Sequence, residues 1–401
     1  MDKLEQWKEQ IFQEIDRIAP EIIAHSDDLA DYPELSGAEY ESSKKIVKIL
    51  RKYGFEVEYP FVGIPTAFEG SLKGQGKHRV AFLIEYDALP GLAPDGSGRP
   101  GHACGHCVSG SIGLLAGLGF SAVKEAIAGE LDLIGTPSEE TNGAKVDMAK
   151  RGVFDPYDLA IMIHMADRNR VRARFLAMDA LEFTFTGKAS HAAASPWEGK
   201  NALNGVQLMF HAVDMLRQHV LPNTRIHGII SRGGEAPNIV PEKAAARFYV
   251  RAPKRSYVNQ VVKMVKDCAK GASIATRTTV EIRNFEQSFD DMLPNPAGES
   301  LLADVYQEMG LEISKELPGR GSSDIGNVSH RCPALHPYLA ITKPGVGLHT
   351  RDFAAAVKGE KAHQAIIDGA KILALTALRV FHEQTTQKAI AEDFQSSRQM
   401  R

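Results

Sequence analysis

The chain has 401 residues, of which 43% are hydrophobic and 24% charged, and a net charge of −3. Such a chain can bury a large core and has the length of two domains, and its charge balance gives no reason to expect nucleic acid or an acidic membrane as partner. Four cysteines are too few to staple a chain of this length, Met1–Trp7 has no apolar secretory core, and no apolar run nears the ~20 residues that span a bilayer, so a cytoplasmic protein is expected.

The first element reads as a helix, because Leu4, Trp7, Ile11, Ile15, Ile18 and Ile22 recur every three or four residues. A turn follows at Asp31-Tyr32-Pro33. A second helix spans about Ala38 to Tyr53, with Gly54 as its stop. Val57–Phe61 reads as a strand. Val80–Ile84 is a short continuous apolar run, as a strand buried on both faces requires, and Leu131-Asp132-Leu133-Ile134 and Leu159–Ile163 repeat that theme. Helices are expected between them at Ser109–Lys124 and Ala144–Arg151. This alternation predicts an α/β layer fold with a mostly parallel sheet and helices on both faces.

After about Leu176 the pattern changes. Leu181–Thr186 alternates apolar and polar, which suits a sheet with one wet face. A helix at Asn201–His219 and strands at Ile226–Ile230, Ala245–Arg251 and Thr279–Ile282 follow. They predict a smaller inserted α+β domain. A strand at Tyr338–Ile341 and a helix at Gly359–His382 return to the first pattern, and the polar tail after Ala391 is expected to fray.

The chemistry-bearing residues gather at strand ends. Strand Val80–Ile84 runs into Glu85-Tyr86-Asp87, Leu131–Ile134 into Ser138-Glu139-Glu140, and Leu159–Ile163 into His164. Open α/β sheets place their sites beyond such ends. Gly101-His102-Ala103-Cys104-Gly105-His106 adds imidazole and thiolate, both good ligands for zinc-like ions. Alternate residues of an extended segment share a side, so Cys104 and His106 can face one ion. In the Glu139-Glu140 pair one carboxylate can bind metal while the other moves the proton of an attacking water. An isolated Glu-Glu pair is usually a solvated turn, and a lone strand-end histidine is usually structural; the ordering of the set carries the signal. Cys104-Gly105-His106-Cys107 also matches a redox C-x-x-C. That reading leaves Asp87, Glu139, Glu140 and His164 without a purpose.

These residues resemble the metal-dependent amidohydrolase and peptidase family of aminoacylase, carboxypeptidase G, p-aminobenzoyl-glutamate hydrolase and the indoleacetyl-amino-acid hydrolases, and most of all its β-alanyl-lysine dipeptidase-like branch. The likeness lies in Tyr32–Ser36, Asp87–Gly91, Gly101–His106, Glu139-Glu140, Gly187–Ala193, Gly233–Pro241 and Gly347–Thr350. It implies a catalytic domain of residues 1–178 and 291–401, with a lid or dimerisation domain at 179–290. It implies two divalent ions (Zn, Mn or Co) on Cys104, His106, Glu140, His164 and His349. Glu139 would be the general base, and Asp87 would orient a ligand. His330 is a weaker competitor for His349. In the lid, His191 or Asn238 would stabilise the oxyanion, often from the partner subunit, and Arg251 would bind a substrate carboxylate. Ser323 and Asp324 would lie near the pocket. Two positions depart from the pattern: Cys107 replaces the usual Asp or Asn, and Thr141-Asn142 follows the Glu pair.

The expected function is hydrolysis of an amide bond in an N-acyl-amino acid, dipeptide or aryl amide by a metal-activated hydroxide, in a homodimer. The alternatives are a catalytically silent binding subunit of the same fold and, last, a thiol–disulfide oxidoreductase.

Overall fold

The computed structural model describes residues 3–315 and 321–399. They form two compact units. One runs to Arg174 and resumes at Met292; the other is Phe175–Asp291.

The first unit opens with α1 (Lys3–Asp31), α2 (Tyr40–Lys52), β1 (Glu56–Glu58), β2 (Phe68–Lys73), β3 (His78–Ile84) and α3 (His106–Gly119). It continues with β4 (Gly129–Gly135), α4 (Ala144–Lys150), β5 (Leu159–Ile161) and β6 (His164–Ala166). The second unit holds β7 (Ala177–Thr186), α5 (Ala202–Leu216), β8 (Arg225–Arg232), β9 (Lys243–Ala252), α6 (Arg255–Thr276) and β10 (Thr279–Asn284). The first unit then resumes with α7 (Pro296–Glu308), α8 (Ile325–Ser329), β11 (Ala334–Leu335), β12 (Tyr338–Ala340), α9 (Arg351–Ala356), α10 (Glu360–His382) and α11 (Gln384–Gln399).

The first unit's main sheet has the order β1-β2-β4-β3-β5-β11. Strands β4, β3, β5 and β11 are mutually parallel, while β1 and β2 join antiparallel at one edge. The four parallel strands therefore end on the same side, where loops of this fold class carry function. Helix α3 is buried along its whole length and packs on α1, α10 and β3. Its glycines permit this. A Cβ at Gly110 would stand 2.2 Å from the carbonyl oxygen of Glu85, so only glycine lets the helix lie against the end of β3.

Four expectations need correction, and some elements were not expected at all. The strand expected at Val57–Phe61 is only Glu56–Glu58, because the chain turns at the cis Tyr59-Pro60 bond. The helix expected at Ser109–Lys124 begins at His106 and ends at Gly119, so His106 stands on a helix and not on an extended segment. The run Leu159–Ile163 breaks: β5 stops at Ile161, and His164 opens β6, which pairs with β12 in a separate two-stranded sheet. The tail beyond Ala391 is helical, because Ile390, Phe394 and Ser397 of α11 are buried. Strand β2 and helices α6 and α7 have no counterpart among the elements expected from the sequence.

The second unit is an antiparallel sheet of order β10-β7-β9-β8. Helices α5 and α6 cover one face, with Phe183, Phe185, Val206, Met209, Phe248, Val258 and Val265 in the core between. The alternate residues Arg247, Tyr249 and Arg251 of β9 point to the other face. Strand β8 is an edge that leaves Ile229 (64%) and Ile230 (45%) exposed.

Candidate metal centre

The first unit brings together all five expected ligands near the ends of its parallel strands. Cys104, His106 and His164 offer donor atoms that all lie within 4.8 Å of one another; so do Cys104, Glu140 and His349, and so do His106, Glu139 and Glu140. The first two groups share Cys104. The Sγ of Cys104 is 3.5 Å from Nε2 of His164. Glu140 sets one oxygen 3.9 Å from Nε2 of His106 and the other 3.5 Å from Nε2 of His349. Ligands around a tetrahedral ion at about 2.0–2.3 Å stand roughly 3.3–3.8 Å apart, so these separations suit a shared cation.

Two buried atoms test that fit. Nε2 of His106 and Oε1 of Glu140 have no hydrogen-bond partner. Buried polar atoms are nearly always satisfied, so two facing orphans that can each offer a lone pair, a ring nitrogen and a carboxylate oxygen, mark a place for a positive ion.

The other side of each ligand is tied down. Nδ1 of His106 contacts the Asp87 carboxylate at 2.9 Å, which leaves Nε2 facing the centre. The second Asp87 oxygen accepts from Ser36 Oγ (2.6 Å) and from the Glu140 backbone N–H (3.0 Å). One carboxylate thus orients two of the candidate ligands. Nδ1 of His164 meets the Met165 carbonyl at 2.8 Å, which sets that ring in the same way. The turn carrying the Glu pair is held by Glu39, fully buried, whose carboxylate accepts from the N–H groups of Gly37 (2.8 Å) and Ser138 (2.9 Å). Ser138 has φ +62 and His349 φ +60, a conformation rare outside glycine. The His349 N–H donates to the Ala103 carbonyl at 2.9 Å, which anchors the loop beside Cys104.

Burial and neighbouring charge set the protonation states. Burial, reinforced by His106, pushes the His164 imidazole down to about 4, so it is neutral and able to ligate. Burial also opposes charge on His106, but Asp87, Glu85 and Cys104 outweigh it and raise its pKa well above the usual histidine range. Burial, then Glu85, Glu140 and Asp324, push Glu139 far above the usual carboxylate range. Burial would raise Asp87 as well, but His106 and the hydrogen bonds it accepts hold it below that range. Burial raises the Cys107 thiol to about 12, and Cys107 sits within the main core cluster. A redox-active C-x-x-C needs an accessible, acidic thiol, so this geometry argues against that chemistry.

His330 ends α8, is buried, and joins none of the ligand groups among the described residues. His102 is buried beside the centre and also stays outside those groups. One residue escaped the strand-end pattern in the sequence. His336 follows β11 at the same sheet edge and stacks on His164 with ring centroids 5.3 Å apart. The strand-end rule that found His164 also applies to His336, but β11 has two residues and leaves almost no apolar run to see.

In the second unit, Nδ1 of His191 accepts from the N–H groups of Ala193 (3.2 Å) and Ala194 (3.1 Å). Its proton therefore resides on Nε2, poised to donate. The Asn238 carbonyl accepts from the Ala192 N–H, which keeps the two loops adjacent. The Arg251 guanidinium lies over the Tyr249 ring, 5.3 Å from its centroid.

Comparison with known proteins gives three kinds of likeness. Residues 178–277 match the peptidase dimerisation domain of M20 proteins. The chain is 34% identical to the Xaa-Arg dipeptidase of Mus musculus, over 98% of this chain and 93% of that protein. It is 28% identical to one of the p-aminobenzoyl-glutamate hydrolase subunits of Escherichia coli (strain K12), over 89% of this chain and 88% of that protein. The fold resembles a Bacillus subtilis protein described as a dinuclear metal binding peptidase from the M20 family, with TM-score 0.68, 17% identity, and coverage of 91% of this chain and 99% of that one.

Proposed function

The chain belongs to the M20 family of metal-dependent peptidases and amidohydrolases, and from that premise we propose that Cys104, His106, Glu140, His164 and His349 hold two divalent ions that serve Glu139 in hydrolysing an amide bond. Metal-dependent cleavage of an amide bond is the activity of the family; the ligand set, the ion count and the substrate are the parts proposed. The observation that carries the reading is the pair of unsatisfied buried atoms, His106 Nε2 and Glu140 Oε1, among the further donors Cys104, His164 and His349.

When bound, such ions supply an acidified water and polarise the scissile carbonyl. The chain does the rest. Glu139 takes a proton from the attacking water and returns it to the leaving nitrogen. Asp87 and Glu39 keep the ligand loops in register. His191 donates from Nε2 to the developing oxyanion, with Asn238 beside it, and Arg251 binds a free carboxylate on the amine product.

The substrate class is a dipeptide or N-acyl-amino acid, and the mouse relative makes dipeptides ending in arginine the first to try. The exposed β8 edge and the match to a dimerisation domain support a homodimer. Ile229→Lys should convert dimer to monomer in light scattering; an unchanged mass removes this edge as the interface. The test of function is a panel of dipeptides, N-acyl-amino acids and aryl amides, assayed before and after chelation and after return of Zn, Mn or Co. Turnover should vanish on chelation and return with metal. Full turnover by the stripped protein would defeat the reading.

A further inference from the structure

Lys145, near the start of α4, has no exposed surface. Its ammonium donates to Oε1 of Glu85 at 2.6 Å and to Oδ1 of Asp324 at 2.7 Å. Its backbone N–H donates to the other Asp324 oxygen at 3.1 Å. Glu85 and Asp324 are buried in turn, and with Glu139 they offer three carboxylate oxygens within 4.8 Å of one another. Three carboxylates that close, away from water, cannot all ionise without a cation among them. Their donor set alone describes a further divalent-ion site, but a tethered ammonium is already seated on two of the three.

We propose that Lys145 is the fixed cation of this centre: it takes the place in the Glu85–Glu139–Asp324 cluster that a divalent ion would otherwise fill, and so confines metal to the Cys104 side. Two consequences follow from the geometry. The bond to Lys145 holds one Glu85 oxygen, which leaves the other 3.4 Å from His106 Nε2. Lys145 also ties α4, which follows the Glu139-Glu140 turn, to Asp324, so the proton-moving carboxylate is positioned by a charge that does not exchange with solvent. An ammonium suits this because it directs discrete hydrogen bonds and stays attached to the chain. A residue that merely filled volume could be replaced by methionine without changing the ion count.

The test counts ions. Wild type, Lys145→Met, Lys145→Arg and the double variant Lys145→Met/Asp324→Asn are equilibrated with Mn(II), dialysed, and assayed for bound Mn(II) per chain by elemental analysis. Lys145→Met should hold one ion more than wild type. Lys145→Arg, which keeps the charge, and the double variant, which loses a ligand, should show no gain. An equal or lower count in folded Lys145→Met overturns the proposal. If Lys145→Met does not fold in metal-free buffer, Mn(II) should restore a cooperative thermal transition, and failure to restore it overturns the proposal equally. The inference rests on the metal-centre reading only for the wild-type baseline. A wild type that binds no metal sinks that reading, whereas the difference between variants judges Lys145 separately.

Discussion

The two units build their functional surfaces by opposite means. In the first, the proposed residues gather around the ends of the parallel strands, mostly buried or half-buried, and several are fixed by a second group: Asp87 behind His106, Met165 behind His164, Glu39 behind the Glu139-Glu140 turn. In the second, His191, Asn238 and Arg251 lie on exposed loops or on the uncovered face of an antiparallel sheet. Charge gathered in a dry site must be neutralised and oriented, or the fold pays for it in desolvation. Charge on a wet face carries no such obligation. Disturbing the first region should therefore remove chemistry or metal outright, and disturbing the second should weaken recognition by degrees.

The largest effect is expected from Glu139→Gln. Proton transfer by a positioned side chain contributes about 10²–10⁴-fold, so kcat should fall by that order while elemental analysis finds metal unchanged. Loss of metal in parallel would make Glu139 a ligand and merge two roles that the contrast keeps apart. Asp87→Ala comes next. It removes the group behind both His106 and the Glu140 N–H, and removing such support typically weakens metal affinity by about 10–100-fold. Competition with a chromophoric chelator reads this directly, and wild-type affinity in the variant would show that the orienting bonds do not matter.

The same contrast explains what was legible in the sequence. Strands β3, β4 and β5 announce themselves because burial on both faces demands mainly apolar runs, with Asp132 the interruption in β4, and proposed site residues follow each run. Strand β2, Phe68–Lys73, is half-exposed and carries Gly70, so it has no such run. Helix α6 is lined with Val258, Val261, Val262 and Val265, whose branching lowers helix propensity and masks a stripe that is in fact helical. His349 had no local signal: its loop is exposed, and only the fold brings it to Glu140. Lys145 was equally hidden, and Asp324 entered only through the resemblance, since a pair 179 residues apart leaves no spacing to read.

A smaller effect tests the second region. A charge-assisted hydrogen bond is worth about 1.5–3 kcal/mol, so Arg251→Ala should raise KM roughly 10–100-fold for substrates with a free carboxylate. Substrates with that carboxylate amidated should be indifferent to the substitution. Equal losses on both would mean that Arg251 supports the sheet, where it lies over Tyr249, and does not read the substrate.

The smallest effect concerns stability and separates the units by pH. His25 in α1 is buried, and its Nε2 has no hydrogen-bond partner. Burial, helped by Lys45, lowers its pKa from 6.5 to about 4. Between those values the unfolded chain binds a proton that the folded chain refuses, so stability rises with pH across the interval and is lost as pH falls through it. A shift of that size corresponds to up to about 3 kcal/mol once pH is below both values. His25→Leu should remove this share, and the first unit's unfolding free energy should then fall less between pH 6.5 and pH 4. Part of the slope will remain, because burial also lowers His102 to about 4 and His336 to about 3 in the same unit. In the second unit, His227 is the histidine whose pKa is lowered, and it is far less enclosed. Amide exchange at pH 5 and pH 7, resolved by segment, should show protection falling in 3–174 and holding in 175–291. A uniform loss, or a His25→Leu slope equal to wild type, would mean that buried neutral histidines do not set the acid limit of the metal-bearing unit.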